Sequence, residues 1–384
     1  MKSISHVNYL GLLVSISVGR SAVGILEDLG VKLLWFDSLG AKCASVAVET
    51  GAGTVIIDPG AAEMQPSYPL PLVEKFELRR RAIKIIEKHL KSAVAIIITH
   101  YHYDHHFLPT DADIDDKHVL LKKLLILKNP NKYINESQWD RARLFLSELL
   151  ALAGETLNNF LIEPQEADFD DPTEELSIAL SKDFGSYSSR RKELLAKGKK
   201  WFIKLVSEVW SKKPWVKELS LRDGTKVVWG DGRTFEFGDT VIQVIGPWFH
   251  GIEYDRTGWV LPLVIKKRNH VIFYSSDLMG PSIEDYAEYI AKSRPDVIIL
   301  DGPPTYLFPY MLNRINLKRA INNAITIINS GTKLLIYDHH LLREKKWRER
   351  TAEVFKEARK NDVPVLTAAE YLGRKPLIDE LCSD

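Results

Sequence analysis

The stretch AVAIIITHYHYDHH, residues 93–106, decides how this chain reads. Ala93 to Thr99 is a continuous apolar run of strand length, so it points to a buried strand. At its end stand His100, His102, Asp104 and His105, four ligand-type residues within six positions. Neutral imidazoles and a carboxylate are good ligands for zinc, manganese or iron. In an extended segment alternate side chains point the same way, so His100 and His102 can bind one ion. A turn then lets Asp104 and His105 reach a second ion nearby. The competing reading is a hydrogen-bonded structural cluster without metal.

Further out, other strand-like runs end in residues of the same kinds. Val55 to Ile57 stops at Asp58, Pro59 and Gly60. His250 follows the run Thr240 to Ile245 through a short turn, Asp277 ends VIFYSS, and His339 and His340 end LLIY. Each alone is a weak signal; their recurrence at strand ends is the evidence. In the loop DGPPTYL, Asp301 can support a metal ligand and Tyr306 can line a pocket, or its two prolines simply make a rigid turn. His106 and His118 read as surface or helix-start residues. His6, His89 and His270 read as bystanders. Tyr101 and Tyr103 read as packing beneath the histidine loop.

The rest of the chain supplies the frame. The first thirty residues read as a strand and a short helical piece. Strands separated by glycine turns follow to Gly60, then a helix from Leu72 to Leu90 by apolar spacing. Residues 107–216 differ in character: one long helix from Asn135 to Ile162, an acidic stretch broken by prolines, and a basic helical run from Leu176 to Trp210. That basic run reads as a solvated helix face. Strands resume at Lys226, with Asp223-Gly224 and Asp231-Gly232 as hairpin signals. Helices follow at Ser282 to Ser293, with Ser282 and Asp285 as a capping pair, at Leu317 to Asn329, and finally at Glu344 to Lys360.

Composition narrows the function classes. The 384 residues are 45% apolar, with 52 basic and 51 acidic side chains and a net charge of +1, so a dedicated duplex-DNA binder is disfavoured. Cys43 and Cys382 are the only cysteines, too few for a disulfide framework or a cysteine zinc site, and they fit a reducing cytoplasm. No apolar run reaches the roughly 18–20 residues of a membrane span. Tyr9 to Val18 is too short and reads as a buried strand.

THYHYDHH, with Asp58 before it and His250, Asp277 and a last histidine after it, resembles the metallo-β-lactamase superfamily from about Val31 to Gly373. IIDPG, KNPNKYINESQ, FEFGDT, SSDLMGP, DGPPTYL and DHHLLR resemble, more narrowly, a largely archaeal branch of predicted metal-dependent hydrolases whose substrates are uncharacterised. The resemblance implies an αββα four-layer sandwich, two mainly antiparallel sheets between helices, with a helical insertion. Residues 1–118 would form its first half, 119–216 the insertion and 217–384 its second half.

The resemblance also implies roles. His100, His102 and His250 would hold a first metal; Asp104, His105 and the last histidine a second; Asp277 would bridge both. His339 is preferred over His340 as that last ligand. Asp58 would hold the histidine loop without binding metal, and Arg343 joins Asp301 and Tyr306 as a candidate pocket residue. The implied activity is hydrolysis by a metal-bound hydroxide at a dinuclear site, with Asp104 and Asp277 in the catalytic set. Two divalent ions are expected, zinc first, with manganese or iron as alternatives. A phosphoester substrate is favoured over a carboxylic ester, lactone or thioester. An iron-dependent redox or metal-binding protein on the same fold is the alternative of another class. A small-molecule substrate is expected, with nucleic acid left open, no membrane partner, a cytoplasmic location and a candidate homo-oligomer. Residues 119–216 are expected to cap the metal cleft.

Overall fold

The computed structural model describes residues 24–165 and 169–382. The strand expected at the start of the chain lies outside the described residues, and the short helical piece is the turn Ile25–Asp28. Five strands then build most of one sheet: β1 (Val31–Phe36), β2 (Ala44–Thr50), β3 (Gly53–Ile57), β4 (Ala93–Ile98) and β5 (Leu124–Leu127). A small ribbon pairs β6 (Leu161–Ile162) with β7 (Trp215–Val216). β8 (Leu219–Ser220) and β9 (Lys226–Trp229) complete the sheet in the order β1-β2-β3-β4-β5-β9-β8.

The second half mirrors the first. It starts with β10 (Thr234–Phe237) and β11 (Thr240–Val244), followed by a ribbon of β12 (Trp248–Phe249) and β13 (Trp259–Val260). Then come β14 (Leu263–Lys267), β15 (His270–Tyr274), β16 (Val297–Asp301), β17 (Leu334–Asp338) and β18 (Val365–Leu366). The sheet order is β10-β11-β14-β15-β16-β17-β18.

Burial alternates along the strands, and this makes the layers. Val46, Val48, Val55, Ile57, Ala95 and Ile97 from the first sheet share one buried cluster with Ile242, Val244, Ile265, Ile272, Tyr274 and Ile299 from the second. The residues between them, such as Ala47, Ile56, Ile96, Phe273, Ile298 and Leu300, belong to another cluster together with Ile83, Ile86, Ile290, Ala324 and Ile327 of the helices. Each strand is thus apolar on both faces, one toward the opposite sheet and one toward helices. Each buried Val, Leu, Ile or Phe among them contributes about 1.5–3 kcal/mol. The fold is the metallo-β-lactamase-like mixed α/β sandwich expected from the sequence.

Several expectations need correction. The sheets are mixed, not mainly antiparallel: β3, β4, β5 and β9 run parallel, as do β15, β16, β17 and β18. The helices Leu72–Leu90, Glu284–Lys292 and Arg314–Ile328 lie between consecutive strands, and a helical crossover requires parallel neighbours. The expected boundary at 119 falls too early, because β5 is an inner strand of the first sheet. The expected helix 135–162 ends at Leu152, where Gly154 adopts φ +76° and a short 3-10 turn and β6 follow. Ser282 does not cap its helix. Instead Asp285 accepts from the Ile178 and Ala179 N–H groups and caps the short helix Ser177–Ser181 of the insertion. Beyond Lys360 two more short helices follow, Ala368–Tyr371 and Leu377–Leu381. No helix of the described residues is long and apolar enough to cross a membrane.

This topology sends polar residues to one place. The parallel strands β3 and β4 end at Asp58 and the histidine loop, and β15, β16 and β17 end near Asp277, Asp301 and His339. Three of the turns leaving these strands pass through left-handed backbone at non-glycine residues: Asp58 (φ 48°), Ser276 (φ 51°) and His339 (φ 59°). Such conformations carry strain of order 1–3 kcal/mol and concentrate at functional sites.

Candidate metal centre

The loop after β4 is held close against the turn after β3. A Cβ on Gly60 would stand 2.1 Å from the His106 nitrogen and 2.4 Å from the His105 carbonyl carbon, so only glycine fits there. With the loop so placed, two donor sets converge. His100 Nε2 is 3.1 Å from His102 Nδ1 and 3.5 Å from Asp277 Oδ2, and His250 Nε2 is 3.3 Å from the same oxygen. On the other side of the Asp277 carboxylate, Oδ1 is 2.8 Å from His105 Nε2 and 3.3 Å from His339 Nε2, while Asp104 Oδ2 is 3.7 Å from His339 Nε2. The sequence-predicted residues therefore form two groups, His100/His102/His250 and Asp104/His105/His339, that meet at Asp277.

Buried carboxylates fix the imidazoles from behind. Asp58 Oδ2 is 2.9 Å from His105 Nδ1, and Asp37 Oδ1 is 2.9 Å from His339 Nδ1. A carboxylate only accepts, so in each ring Nδ1 carries a proton and Nε2 is the atom that faces Asp277. Asp58 also accepts from the Thr99 N–H at 2.8 Å, the Thr99 hydroxyl at 2.7 Å and the Tyr274 hydroxyl at 2.7 Å. Asp37 was not found from the sequence. Its signal was present, because WFD ends β1 in an acid as IID ends β3. Thr99, Ser276 and Tyr274 carried no such signal.

The electrostatics divide the centre. Burial, reinforced by the charge of His105, lowers His100 to about 4, and burial with His100 and His250 nearby holds His102 well below the usual imidazole range. Both are therefore neutral, the form a ligand needs. Burial acts the same way on His105, but the Asp277 and Asp58 carboxylates outweigh it and raise this ring to about 10. Likewise Asp37 and Asp277 outweigh burial at His339 and raise it well above its ordinary value. The second group is thus a place where carboxylates gather positive charge.

The donor chemistry fits cations. Both ring nitrogens of His250 are buried without a hydrogen-bond partner, and the buried Asp277 oxygens are faced by imidazole nitrogens, an arrangement that is costly unless something compensates. On the Oδ1 side, His105 and His339 turn Nε2 to Asp277 as positively charged rings, and a bound cation would take the place of that charge. The clustered residues are consistent with a metal site.

The neighbouring candidates fall into distinct places. His340 Nδ1 is 2.9 Å from Asp301 Oδ1, and its Nε2 is 4.0 Å from Asp277 Oδ2, farther than the nitrogens of His100, His105, His250 and His339. Burial and the adjacent Asp277 raise Asp301 to about 8. Arg343 is buried; its Nε donates to Asp37 at 2.6 Å and its Nη2 to Asp104 at 3.2 Å, with the Tyr306 ring 5.9 Å away. Arg343 thus positions the candidate ligand Asp104 and, through Asp37, His339. Two expectations fail: His106 is buried and donates to the His102 carbonyl, and Tyr103 is exposed. Tyr101 does pack beneath the loop, donating to the Lys128 carbonyl at 2.6 Å.

The inserted segment lies beside this centre. Gln138 brings Nε2 to 3.5 Å from His102 Nε2 and donates to the Thr257 carbonyl at 2.6 Å. The helix Ser188–Leu205 packs on the loop after His250: a Cβ on Gly198 would come within 2.4 Å of Tyr254, and Trp201 stacks on Trp259 at 5.6 Å. Glycine in mid-helix costs roughly 1 kcal/mol against alanine, and here it permits that contact. Arg191 and Arg319 share Glu253 at 2.7 and 2.6 Å, a buried ionic tie between the same helix and the sandwich.

A family model described as the metallo-beta-lactamase superfamily matches residues 40–107. The UPF0282 protein of Methanopyrus kandleri is 30% identical over 358 residues, covering 91% of this chain and 96% of that protein. The UPF0282 protein of Methanocaldococcus jannaschii is 29% identical, covering 90% and 91%. Among solved structures, the metallo-beta-lactamase fold protein YhfI from Bacillus subtilis aligns with a TM-score of 0.39 at 12% identity, covering 88% of this chain and 94% of that one. CmlA, a diiron beta-hydroxylase from Streptomyces venezuelae, aligns with a TM-score of 0.36 at 10% identity, covering 85% and 51%. The chain belongs to the UPF0282 family, within the metallo-beta-lactamase superfamily.

Proposed function

We propose that this protein is a metal-dependent hydrolase acting on phosphoesters at a dinuclear centre. The observation that carries the reading is the division of Asp277 between two donor groups, one oxygen to each. Bound there, two divalent cations, zinc foremost, supply Lewis acidity and an activated water at neutral pH. The chain's own residues do the rest. Asp58 and Asp37 keep Nδ1 of His105 and His339 protonated and their Nε2 atoms open. Asp301 holds the His340 ring through Nδ1. Arg343 steadies Asp104 and offsets the negative charge gathered around the second group. A carboxylate shared by two donor groups suits a pair of cations, and two-cation sites suit in-line displacement at phosphorus, which favours phosphoesters over neutral esters and lactones. The test is a hydrolysis panel of generic phosphodiester, lactone and thioester substrates on metal-stripped protein with zinc, manganese or iron added back. Phosphodiester turnover restored by zinc or manganese is expected. Turnover of lactone or thioester alone rejects the phosphoester assignment, and tightly held iron without hydrolysis rejects the hydrolase.

The histidine doublet gives a sharper comparison. His339 faces Asp104, His105 and Asp277, whereas His340 leans on Asp301. His339→Ala is expected to lower the content of one metal from two per chain toward one, and His340→Ala to leave the content at two. Metal analysis of the two purified variants checks this; the opposite pattern transfers the ligand role to His340.

A further inference from the structure

A groove of about 490 Å³ opens on the inserted segment, lined by Lys197, Lys200, Trp201 and Lys204 from one helix, with Arg256 and Glu136 from its neighbours. The helical positions follow an i, i+3, i+4, i+7 spacing, so they share one face. At 1.5 Å per residue the three lysines span about 10 Å. Four cations face one carboxylate across this groove. All four are exposed, and among the described residues their one ion pair is Lys204 with Glu208 at 3.7 Å. The fold does not call for them. The helix is held by Gly198 against Tyr254 and by buried Phe202 and Leu205, while like charges at these spacings repel.

Two lining residues are close in the chain to residues that touch the metal centre. Glu136 begins the helix whose Gln138 approaches His102. Arg256 precedes Thr257, whose hydroxyl donates to the His250 carbonyl at 2.6 Å. We infer that the groove binds a single-stranded nucleic acid segment, placing one of its phosphodiesters at the metal centre. The lysines and Arg256 take successive phosphates, and Trp201 offers a flat aromatic surface to a base, the pairing that single-strand sites use. A simple polyphosphate makes no use of the tryptophan. A duplex wants a broader positive field than a chain of net charge +1 provides.

This inference rests on the phosphoester reading above, so binding is measured apart from turnover. Metal-stripped full-length protein is titrated against a fluorescein-labelled single-stranded decanucleotide, by anisotropy across a salt series. Binding should weaken with salt with a log–log slope of roughly −3, as expected for about four phosphate contacts. The variant K197E/K200E/K204E, which alters exposed side chains only, should bind at least tenfold more weakly and keep its circular dichroism spectrum. Equal binding by the variant overturns the inference. So does tripolyphosphate competing as well as the oligonucleotide per phosphate, or a duplex of the same sequence binding as tightly. Oligonucleotide binding without cleavage after metal add-back leaves the groove standing and rejects the hydrolase reading. Cleavage of a generic phosphodiester without oligonucleotide binding rejects the groove alone.

Discussion

Asp277→Ala is expected to remove at least one metal and to lower kcat/KM by on the order of 10³-fold, the equivalent of several kcal/mol of transition-state stabilisation. The side chain is buried, and its two oxygens face different histidine pairs: Oδ1 faces His105 and His339, and Oδ2 faces His100 and His250. Among the described residues no other carboxylate joins both four-residue donor groups. Asp104 sits wholly in one, and Asp301 is 2.9 Å from His340 Nδ1. Alanine removes the negative charge that offsets two cations a few Å apart, so their mutual repulsion is unrelieved. Asp277→Asn separates charge from shape: it keeps the volume but offers one carbonyl oxygen, so one side should lose its metal first. Metal content by plasma mass spectrometry and turnover of the substrate found in the hydrolysis panel are the measurements. An alanine variant that holds two metals per chain would place the bridge elsewhere.

How much of this was legible in the sequence depends on how local the determinant is. His100, His102, Asp104 and His105 lie in one loop, and their spacing alone puts them together. Their remote partners are different. His339 and Asp37 are 302 residues apart, and nothing periodic links them. Only the recurrence of ligand types at strand ends hinted that His250, Asp277 and His339 share a destination. The choice within the doublet turns on left-handed backbone at His339, a conformation histidine tolerates and no pattern announces. The apolar runs of β15, β16 and β17 announced buried strands but not their direction. Direction follows from the helices between them, which carry the chain back so that the next strand starts at the same end. The helix expected over 135–162 overran because apolar spacing continues past Leu152, and the break is set by the single residue Gly154.

Asp58 should separate folding from metal affinity when replaced in two ways. Its carboxylate is fully buried and meets the Thr99 N–H through Oδ1, and the Thr99 hydroxyl, His105 Nδ1 and Tyr274 hydroxyl through Oδ2. Asp58→Ala strands these groups without water and is expected to cost about 3–5 kcal/mol of stability. Asp58→Asn acts differently. The Thr99 N–H is fixed backbone and cannot turn, so the amide oxygen must take the Oδ1 position and the NH₂ group the Oδ2 position. The hydroxyls can adapt: Tyr274 can turn its proton to the Ala44 carbonyl, 2.8 Å away, and Thr99 can turn to Ser276, 2.6 Å away. His105 adapts only by accepting at Nδ1, which moves its proton to Nε2. That proton occupies the lone pair aimed at Asp277, and the ring can no longer serve as a ligand. Asp58→Asn should therefore melt within about 1–2 kcal/mol of the parent in metal-free form, the scale of one exchanged hydrogen bond. Its affinity for one of the two metals should fall roughly 10–100-fold, the usual loss when a ligand's supporting group is changed. Thermal denaturation with EDTA and competitive metal titration read the two effects separately. Unchanged affinity for both metals in a folded Asp58→Asn protein would mean that this carboxylate does not set the His105 tautomer.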